Sequence, residues 1–235
     1  MKKIVLAAFA VLASGAAANA QTNFQTFYDF NRHCFTTTLE GFHQDGGGNT
    51  FFFIDYDYQL KKENGSLNAP SGTYFEIARC LNFWQDSALG ALSLHVEYNG
   101  GVGTGGNVDA GMGYFYGVNH AMLLGVDYFL HSKDFKNTLN LKALFKKFKN
   151  LEQKAPLQFT AVWGCQDIFG LKGVRFSGFA DVWWESKCVF LSEPQLWYDC
   201  GTKHFNIGGE IELSSNFAGY DGFACRPCIG TKWVF

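Results

Sequence analysis

The stretch that decides the fold runs from residue 91 to residue 99 and reads Ala-Leu-Ser-Leu-His-Val-Glu-Tyr-Asn. Its two sets of alternate side chains differ in polarity. One set comprises Leu92, Leu94, Val96 and Tyr98, and the other comprises Ala91, Ser93, His95, Glu97 and Asn99. Successive side chains of a β-strand point to opposite faces, whereas a helix would scatter each set around its axis. The stretch therefore predicts a strand that separates an apolar environment from a polar one.

The same period of two recurs in residues 51–58 and 174–185. In the first stretch, Phe52, Ile54, Tyr56 and Tyr58 oppose Phe51, Phe53, Asp55 and Asp57. In the second stretch, Val174, Phe176, Ala180, Val182 and Trp184 oppose Arg175, Ser177, Phe179, Asp181, Trp183 and Glu185. Repetition of this pattern along the chain predicts an all-β fold.

The first twenty residues have the pattern of a secretory signal peptide. Lys2 and Lys3 precede an apolar run from Ile4 to about Ala13, and small residues lead to Ala18-Asn19-Ala20. This order of a basic, an apolar and a small-residue segment is typical of a signal that is cleaved after the last alanine. We expect residues 1–20 to be a signal peptide and residues 21–235 to form one domain.

Composition excludes some classes of partner. Without residues 1–20 the chain has 215 residues (235 − 20) and a formal charge of −4, from 17 basic and 21 acidic groups. That balance does not favour binding to nucleic acid. No run of eighteen apolar residues follows residue 20, so the sequence contains no candidate transmembrane helix there. A membrane-embedded form of this chain would have to cross the bilayer as strands.

Three observations favour a membrane barrel over a soluble sandwich. Many alternating stretches are about ten residues long, which suits a tilted strand crossing a bilayer. Aromatic pairs lie near strand ends, at residues 83–84, 183–184 and 197–198. The last stretch places Ile229, Trp233 and Phe235 on one face and Gly230, Lys232 and Val234 on the other. A terminal aromatic of this kind is typical of outer-membrane proteins, so we expect outer-membrane lipid and the barrel assembly machinery as partners.

The pattern predicts a single antiparallel transmembrane β-barrel of about twelve strands. The predicted strands are residues 23–31, 35–43, 50–58, 73–84, 88–99, 120–131, 138–148, 157–167, 173–185, 188–200, 204–214 and 223–235. Short turns are predicted at 44–49, 85–87, 132–137, 168–172 and 201–203. Longer connections are predicted at 59–72, 100–119 and 215–222. Residues 109–118 also alternate, but a thirteenth strand would break the even number that such barrels have, so residues 100–119 are interpreted as a long loop.

The chain resembles the Tsx-like nucleoside-specific channel superfamily, and in particular a bacterial family related to it. The resemblance extends over nearly all of residues 21–235. It rests on the motifs Tyr28-Asp29-Phe30, Thr36-Thr37-Thr38-Leu39-Glu40, Phe51-Phe52-Phe53-Ile54-Asp55, Phe75-Glu76-Ile77-Ala78-Arg79, His95-Val96-Glu97-Tyr98-Asn99-Gly100-Gly101, Phe176-Ser177-Gly178-Phe179-Ala180-Asp181, Phe190-Leu191-Ser192-Glu193-Pro194-Gln195, and Glu210-Ile211-Glu212 with Asn216-Phe217. It implies a narrow twelve-stranded channel through which nucleosides diffuse.

The polar face supplies candidate solute-binding residues for such a channel. We predict a lumen lined by Phe27, Asp29, Phe51, Phe53, Asp55, Asp57, His95, Glu97, Asn99, Asp127, Arg175, Phe179, Asp181, Trp183, Glu193, Gln195, Glu210 and Glu212. Aromatic rings offer stacking surfaces for a base, and carboxylates and amides offer hydrogen bonds. The same charges could instead pair with one another and stiffen the wall. No cofactor is expected.

Two further interpretations of the sequence stay open. Ser93, His95 and Glu97 share one face, which is the set of groups used in serine hydrolysis, although same-face neighbours on a strand are about 7 Å apart. Such a group would make the protein an outer-membrane hydrolase acting on lipid. Our prediction, however, is that the protein is not an enzyme. The second interpretation is a soluble secreted β-barrel that binds a ligand.

Seven cysteines are an odd number for an exported protein. Cys225 and Cys228 have the spacing of a metal-binding or redox pair. Residues three apart on a strand point to opposite faces, however, so no metal site is predicted there unless Pro227 introduces a bulge. We expect the cysteines to act as small buried apolar residues.

Overall fold

A computed structural model describes residues 20–60, 67–107, 112–202 and 204–235. These residues form one antiparallel sheet of thirteen strands, with a single 3-10 turn at Ile168–Gly170. The strands are β1 (Ala20–Asp29), β2 (Cys34–Asp45), β3 (Gly48–Leu60), β4 (Leu67–Leu81), β5 (Leu92–Asn107), β6 (Met112–His131), β7 (Asn137–Phe148), β8 (Ala155–Gln166), β9 (Val174–Trp184), β10 (Cys188–Ser192), β11 (Gln195–Asp199), β12 (Phe205–Ser215) and β13 (Phe223–Val234).

The sheet closes on itself because β1 pairs with β13, from Asn23 opposite Val234 to Asp29 opposite Cys228. Strands β10 and β11 together occupy one strand position in the barrel wall, since both pair with β9 on one side and β12 on the other. Each such strand position is called a stave here. Pro194 lies at the break between them and has no N–H for the ladder. The barrel therefore has twelve staves, which confirms the predicted fold class.

Alternation along the strands gives the barrel an apolar exterior and a polar interior. On β5, Leu94 is 48% exposed to the outside, whereas His95 beside it is 0% exposed. Leu124 and Ile229 point outward in the same way from β6 and β13. An apolar belt around a closed barrel satisfies every backbone group within the sheet and suits a hydrocarbon surrounding. The chain thus has the build of an outer-membrane β-barrel, and a soluble barrel would not present this exterior.

The two ends of the barrel are distinguished here by the strand ends they hold. At the end that holds Ala20 and Val234, called the terminal end, the connections range from Gly46-Gly47 between β2 and β3 to the ten residues 82–91 between β4 and β5, so the prediction of a short turn at 85–87 is wrong. Gly48 follows the Gly46-Gly47 turn with a φ of 132°, a value that side chains rarely tolerate. The opposite end, called the far end, carries the connections between β3 and β4, between β5 and β6, and between β12 and β13.

The prediction of a loop at residues 100–119 is wrong. Strands β5 and β6 continue through this region and pair with each other up to Asn107 opposite Met112, with one irregularity between Asn99 and Gly101. Glycine-rich sequence has a low strand propensity, but here each strand serves as the other's partner. The alternation at residues 112–118, the described part of that stretch, therefore belongs to an extension of β6 and not to a thirteenth stave, so the even number of staves is kept.

Some predictions fall on residues that the structure does not describe. The predicted signal peptide lies outside the described residues except for Ala20, which begins β1. Residues 61–66 of the predicted connection 59–72 also lie outside them. Among the helical residues that are described, none forms a helix long and apolar enough to span a membrane.

Candidate functional site

The strand register places all eighteen predicted lumen residues on the inner face of the barrel. On β3, for example, Phe53 is opposite Glu40 of β2 and Glu76 of β4, and all three belong to the inward set. The same parity continues around the barrel through β9 and β12. Facing inward does not by itself allow contact with a solute, because these side chains differ in how much of their surface is exposed.

The predicted lumen residues divide into two groups by burial. Those with almost no exposed surface are Phe27, Asp29, His95, Glu97, Asn99, Asp127, Trp183 and Glu212. Those that keep part of their surface are Phe51, Phe53, Asp55, Asp57, Arg175, Phe179, Asp181, Glu193, Gln195 and Glu210. The second group thus keeps part of its surface uncovered inside the barrel, whereas the first group is covered by its neighbours.

A dense set of hydrogen bonds joins inward side chains of β4, β5, β6 and β7. We call Cys80, His95, Glu97, Asp127 and Asn140 the packed sector. His95 Nε2 lies 2.8 Å from Glu97 Oε2, and His95 Nδ1 lies 3.4 Å from Cys80 Sγ. Cys80 Sγ lies 3.5 Å from Asp127 Oδ2, and Asn140 Nδ2 donates to Asp127 Oδ1 over 2.7 Å. The Lys142 ammonium is 4.0 Å from Asp127.

The packed sector bears on the alternative of a hydrolase built on Ser93, His95 and Glu97. Cys80, and not Ser93, lies against His95. His95 and Glu97 do form a hydrogen bond despite their spacing on one strand, because both side chains lean toward each other along the inner face. With His95 fully buried, no surface is open for a lipid substrate. The geometry thus does not support the hydrolase interpretation.

Carboxylates outnumber basic groups on the inner face of the described strands. The inward carboxylates are Asp29, Glu40, Asp55, Asp57, Glu76, Glu97, Asp127, Asp181, Glu193, Asp199, Glu210 and Glu212, and the inward basic groups are Lys142, Lys146, Arg175, Arg226 and Lys232. Asp55, Glu193 and Glu210 are close enough to repel one another electrostatically. The interior is therefore rich in acidic groups.

Four of these basic groups were missed at the level of the sequence. Lys146 donates to Gln158 Oε1 over 2.6 Å and lies 4.2 Å from the centre of the Trp183 ring. Lys232 lies 4.3 Å from the centre of the Trp197 ring. Arg226 bonds to Glu212, and Lys142 approaches Asp127. Strand alternation could have identified them, because each is an even number of residues away from the inward residues on its own strand.

A cavity of about 220 Å³ opens inside the terminal end, and we call it the chamber. It is lined by Gln21, Asn23, Glu40, Phe42, Phe135, Lys136, Thr138, Gly164, Cys165, Gln166, Arg175, Phe176, Ser177, Trp197, Asn206 and Lys232. Arg175 is the one lining residue that the sequence singled out. The chamber thus holds charges of both signs, in contrast to the acid-rich middle of the barrel.

Three aromatic rings form a row along the inner face of β3 and β4. The ring centres of Phe51 and Phe53 are 6.1 Å apart, and those of Phe53 and Tyr74 are 5.9 Å apart. None of the three is fully buried, unlike Phe27 and Trp197, whose rings cover each other 5.6 Å apart. Asp55 lies two residues further along β3 and accepts a hydrogen bond from Thr38.

All seven cysteines, each within the described residues, are free thiols. Cys34, Cys80 and Cys228 are buried, whereas Cys188, Cys200 and Cys225 are exposed. The expectation that the cysteines are buried therefore holds for only part of the set. Cys225 and Cys228 differ in burial because their side chains leave opposite faces of β13, as their spacing predicts.

Comparisons with known proteins agree with the fold. The KdgM porin, solved in complex with disordered oligogalacturonate, is similar with a TM-score of 0.51 and 10% identity, over 92% of this chain and 99% of that one. The outer membrane protein Omp33 of Acinetobacter baumannii gives a TM-score of 0.43 and 9% identity, over 92% and 98% of the two chains. Identities this low are informative about fold alone, and the fold is that of outer-membrane porins.

No curated protein sequence matches the chain. The resemblance to nucleoside channels stays a prediction, since a structural similarity at 10% identity bears on the fold alone. A family described as "Domain of unknown function (DUF5020)" matches residues 21–235, which is the whole predicted barrel. The chain therefore belongs to the DUF5020 family.

Proposed function

We propose that this protein is an outer-membrane channel for passive diffusion of small solutes, with nucleosides as the preferred solutes. The observation that carries the proposal is a closed barrel whose inner face is charged and polar along its length and whose outer face is apolar. Buried charges are costly unless they are paired or hydrated. A barrel that served only as a plug could be filled with apolar side chains at lower cost.

The balance of charge supports a preference for cations and neutral solutes. Asp55, Glu193 and Glu210 face one another where the interior is most acidic. Rings of carboxylates favour cations in a pore. The KdgM porin was solved with oligogalacturonate, an acidic sugar, bound to it. The acid-rich interior of the present chain argues against the same solute class here.

The aromatic row supports a planar solute. Stacking of one base on an aromatic side chain contributes about 1–3 kcal/mol. Phe51, Phe53 and Tyr74 keep part of their surface free, and Asp55 can accept hydrogen bonds from a sugar hydroxyl beside them. A weak site of this type suits conduction, because a solute must leave as easily as it enters.

Planar-bilayer conductance of the refolded protein tests the proposal. A nucleoside should transiently block the ion current, and a sugar of similar size should block far less. Phe53→Ala should weaken nucleoside block by about 5- to 150-fold, which corresponds to the stacking energy of about 1–3 kcal/mol. Phe52→Ala is the matched control, because that ring leaves the opposite face of the same strand. Equal block by nucleosides and sugars would remove the nucleoside assignment, and absence of any conductance would overturn the channel.

A second variant separates charge from stacking. Asp55→Asn keeps the shape of the side chain and removes its charge, so it should lower the preference for cations more than it alters nucleoside block. The measurement is the reversal potential in a salt gradient. An unchanged reversal potential would show that Asp55 does not face the conducting path.

A further inference from the structure

Three side chains of the packed sector come from three consecutive strands and converge on one point. Cys80 belongs to β4, His95 to β5 and Asp127 to β6, and the register places Cys80 opposite His95 and Ser93 opposite Asp127. Their sulfur, nitrogen and oxygen ligand atoms all lie within 4.8 Å of one another. From this convergence we propose that the protein binds one divalent transition-metal ion, of the class of Zn²⁺, through Cys80, His95 and Asp127.

The separations between the ligand atoms fit tetrahedral coordination. With Zn–S near 2.3 Å and Zn–N and Zn–O near 2.1 Å, tetrahedral angles place a sulfur about 3.5 Å from each of the other two ligands. Cys80 Sγ lies 3.4 Å from His95 Nδ1 and 3.5 Å from Asp127 Oδ2. An ion can therefore be inserted with small changes in side-chain torsion. Three protein ligands leave one position of the tetrahedron without a protein ligand.

The surrounding groups orient the ligands as they do at metal sites. A histidine that binds a metal through one ring nitrogen usually donates the other N–H to a carboxylate. His95 directs Nδ1 toward Cys80 Sγ, and its Nε2 lies 2.8 Å from Glu97 Oε2. Asn140 donates to Asp127 Oδ1, which leaves Oδ2 for the ion. Glu97 and Asn140 are thus positioning residues.

The local charges are compatible with a divalent cation. Binding converts the Cys80 thiol to a thiolate and releases its proton to solvent, and the thiolate and the Asp127 carboxylate together neutralise the ion. Neutral His95 adds no charge. The Lys142 ammonium is 4.0 Å from Asp127 Oδ2 and keeps part of its surface exposed, so it can move toward the lumen when the ion takes that oxygen. The mixture of thiolate, imidazole and carboxylate suits Zn²⁺ better than Ca²⁺ or Mg²⁺.

The proposal goes beyond the channel and does not depend on which solute passes. It is tested with the full chain, refolded in detergent with its thiols reduced by a reagent that does not bind metals. Titration with Co²⁺ should give one equivalent of bound ion per chain and a thiolate-to-cobalt charge-transfer band. Zn²⁺ should displace the Co²⁺ and abolish the band. Binding of Co²⁺ without that band, or no binding, would overturn the proposal.

Variants assign the site. Cys80→Ser should abolish the band, whereas Cys188→Ser, at an exposed cysteine outside the packed sector, should keep it. Glu97→Gln should lower Zn²⁺ affinity by about 10- to 100-fold while the band persists, because an outer group is altered. If Cys80→Ser does not give a heat-modifiable barrel, Asp127→Asn serves instead and should weaken binding at least tenfold. If Cys80→Ser or Asp127→Asn bound the ion as tightly as the unaltered protein, the ion would have to bind elsewhere.

Discussion

The packed sector and the chamber are both built from inward side chains of the same barrel, yet they differ in what those side chains can do. In the packed sector His95 has no exposed surface, and its ring nitrogens are used by Glu97 and Cys80. In the chamber, Glu40 and Arg175 stand around open space. Alternation along a strand decides which side a residue faces, and the size and bonding of its neighbours decide whether it remains available.

The difference has an energetic side. Removing one member of a buried, hydrogen-bonded set leaves its partners without acceptors or donors in a place that water does not reach. Removing a group that lines a cavity lets water take its position. The packed sector is therefore expected to contribute to the stability of the barrel, and the chamber to its selectivity.

The largest expected effect is on unfolding when Asp127 is replaced by alanine. Asp127 accepts hydrogen bonds from Cys80 and Asn140, so its loss leaves two donors of the packed sector without their acceptor. At about 1–3 kcal/mol for each donor, we expect the free energy of unfolding to fall by about 3–5 kcal/mol. Urea titration of the protein folded in lipid vesicles measures this change.

Glu40→Ala in the chamber is the control for Asp127→Ala. Glu40 accepts one hydrogen bond, from Asn23, at the edge of the cavity. Its loss should lower the free energy of unfolding by less than about 1 kcal/mol. Equal losses for the two variants would show that the packed sector and the chamber are equally hydrated.

A second prediction tests the register that puts both regions inside. Leu94 is 48% exposed on the outer face of β5, between the inward Ser93 and His95. Leu94→Arg should cost about 2–4 kcal/mol in a bilayer, because the charge would face hydrocarbon. Thr138→Arg, which places the same charge in the chamber, should fold. If Thr138→Arg is the more destabilised of the two, β5 or β7 is shifted by one residue.

The smallest expected effect concerns the rim of the chamber. Lys136 donates to Asp167 over 2.6 Å, which lowers the pKa of the Asp167 carboxyl and raises the pKa of the Lys136 ammonium. Since the carboxyl pKa is depressed in the folded protein, the contact contributes above the ordinary aspartate value of about 4 and is lost as pH falls through the depressed value. The pKa of the Lys136 ammonium is raised in the folded protein. Its contribution to stability is therefore present below about pH 10.4 and is lost as pH rises through the raised value.

Hydrogen exchange of the amides at residues 168–173, corrected for intrinsic rates, measures that effect. Protection should be constant from about pH 5 to pH 9 and should fall below about pH 4. Asp167→Asn should show reduced protection and no acid step. An acid step of the same size in that variant would assign the titration to another group.

Much of the fold could be predicted from the sequence because alternation is a local property. The stretch from Leu92 to Asn99 shows both its faces without any knowledge of its neighbours. The extension of β5 and β6 could not be predicted in the same way, because Gly101, Gly103 and Gly105 have little strand propensity and are held by their pairing with β6. Pairing with β6 thus keeps these glycines in a strand that their own propensity does not favour.

For the site residues, the sequence predicts which face of the barrel each side chain points to. It does not predict how much of that side chain stays exposed. Phe27 and Phe53 have the same parity and the same ring, but Phe27 is covered by Trp197 and Phe53 is not. The contact between Phe27 of β1 and Trp197 of β11 spans β13 and β12, and it forms only because the barrel closes between β1 and β13. The meeting of Cys80 with His95 likewise depends on the register of β4 against β5.

The long β5–β6 hairpin fixes how deeply the barrel can sit in the bilayer. Strand β7 accompanies β6 only as far as Phe148 opposite Ala121, so on that side the described part of β6 from Met112 to Val118 has no neighbouring strand. The N–H and C=O groups of this edge need water, because hydrocarbon offers them no partners. The boundary of the hydrocarbon must therefore lie on the barrel side of this edge. The outward rings of Tyr98 and His120, 5.7 Å apart, lie beside the point where β7 leaves β6, and amphipathic rings of this kind suit the level of the headgroups.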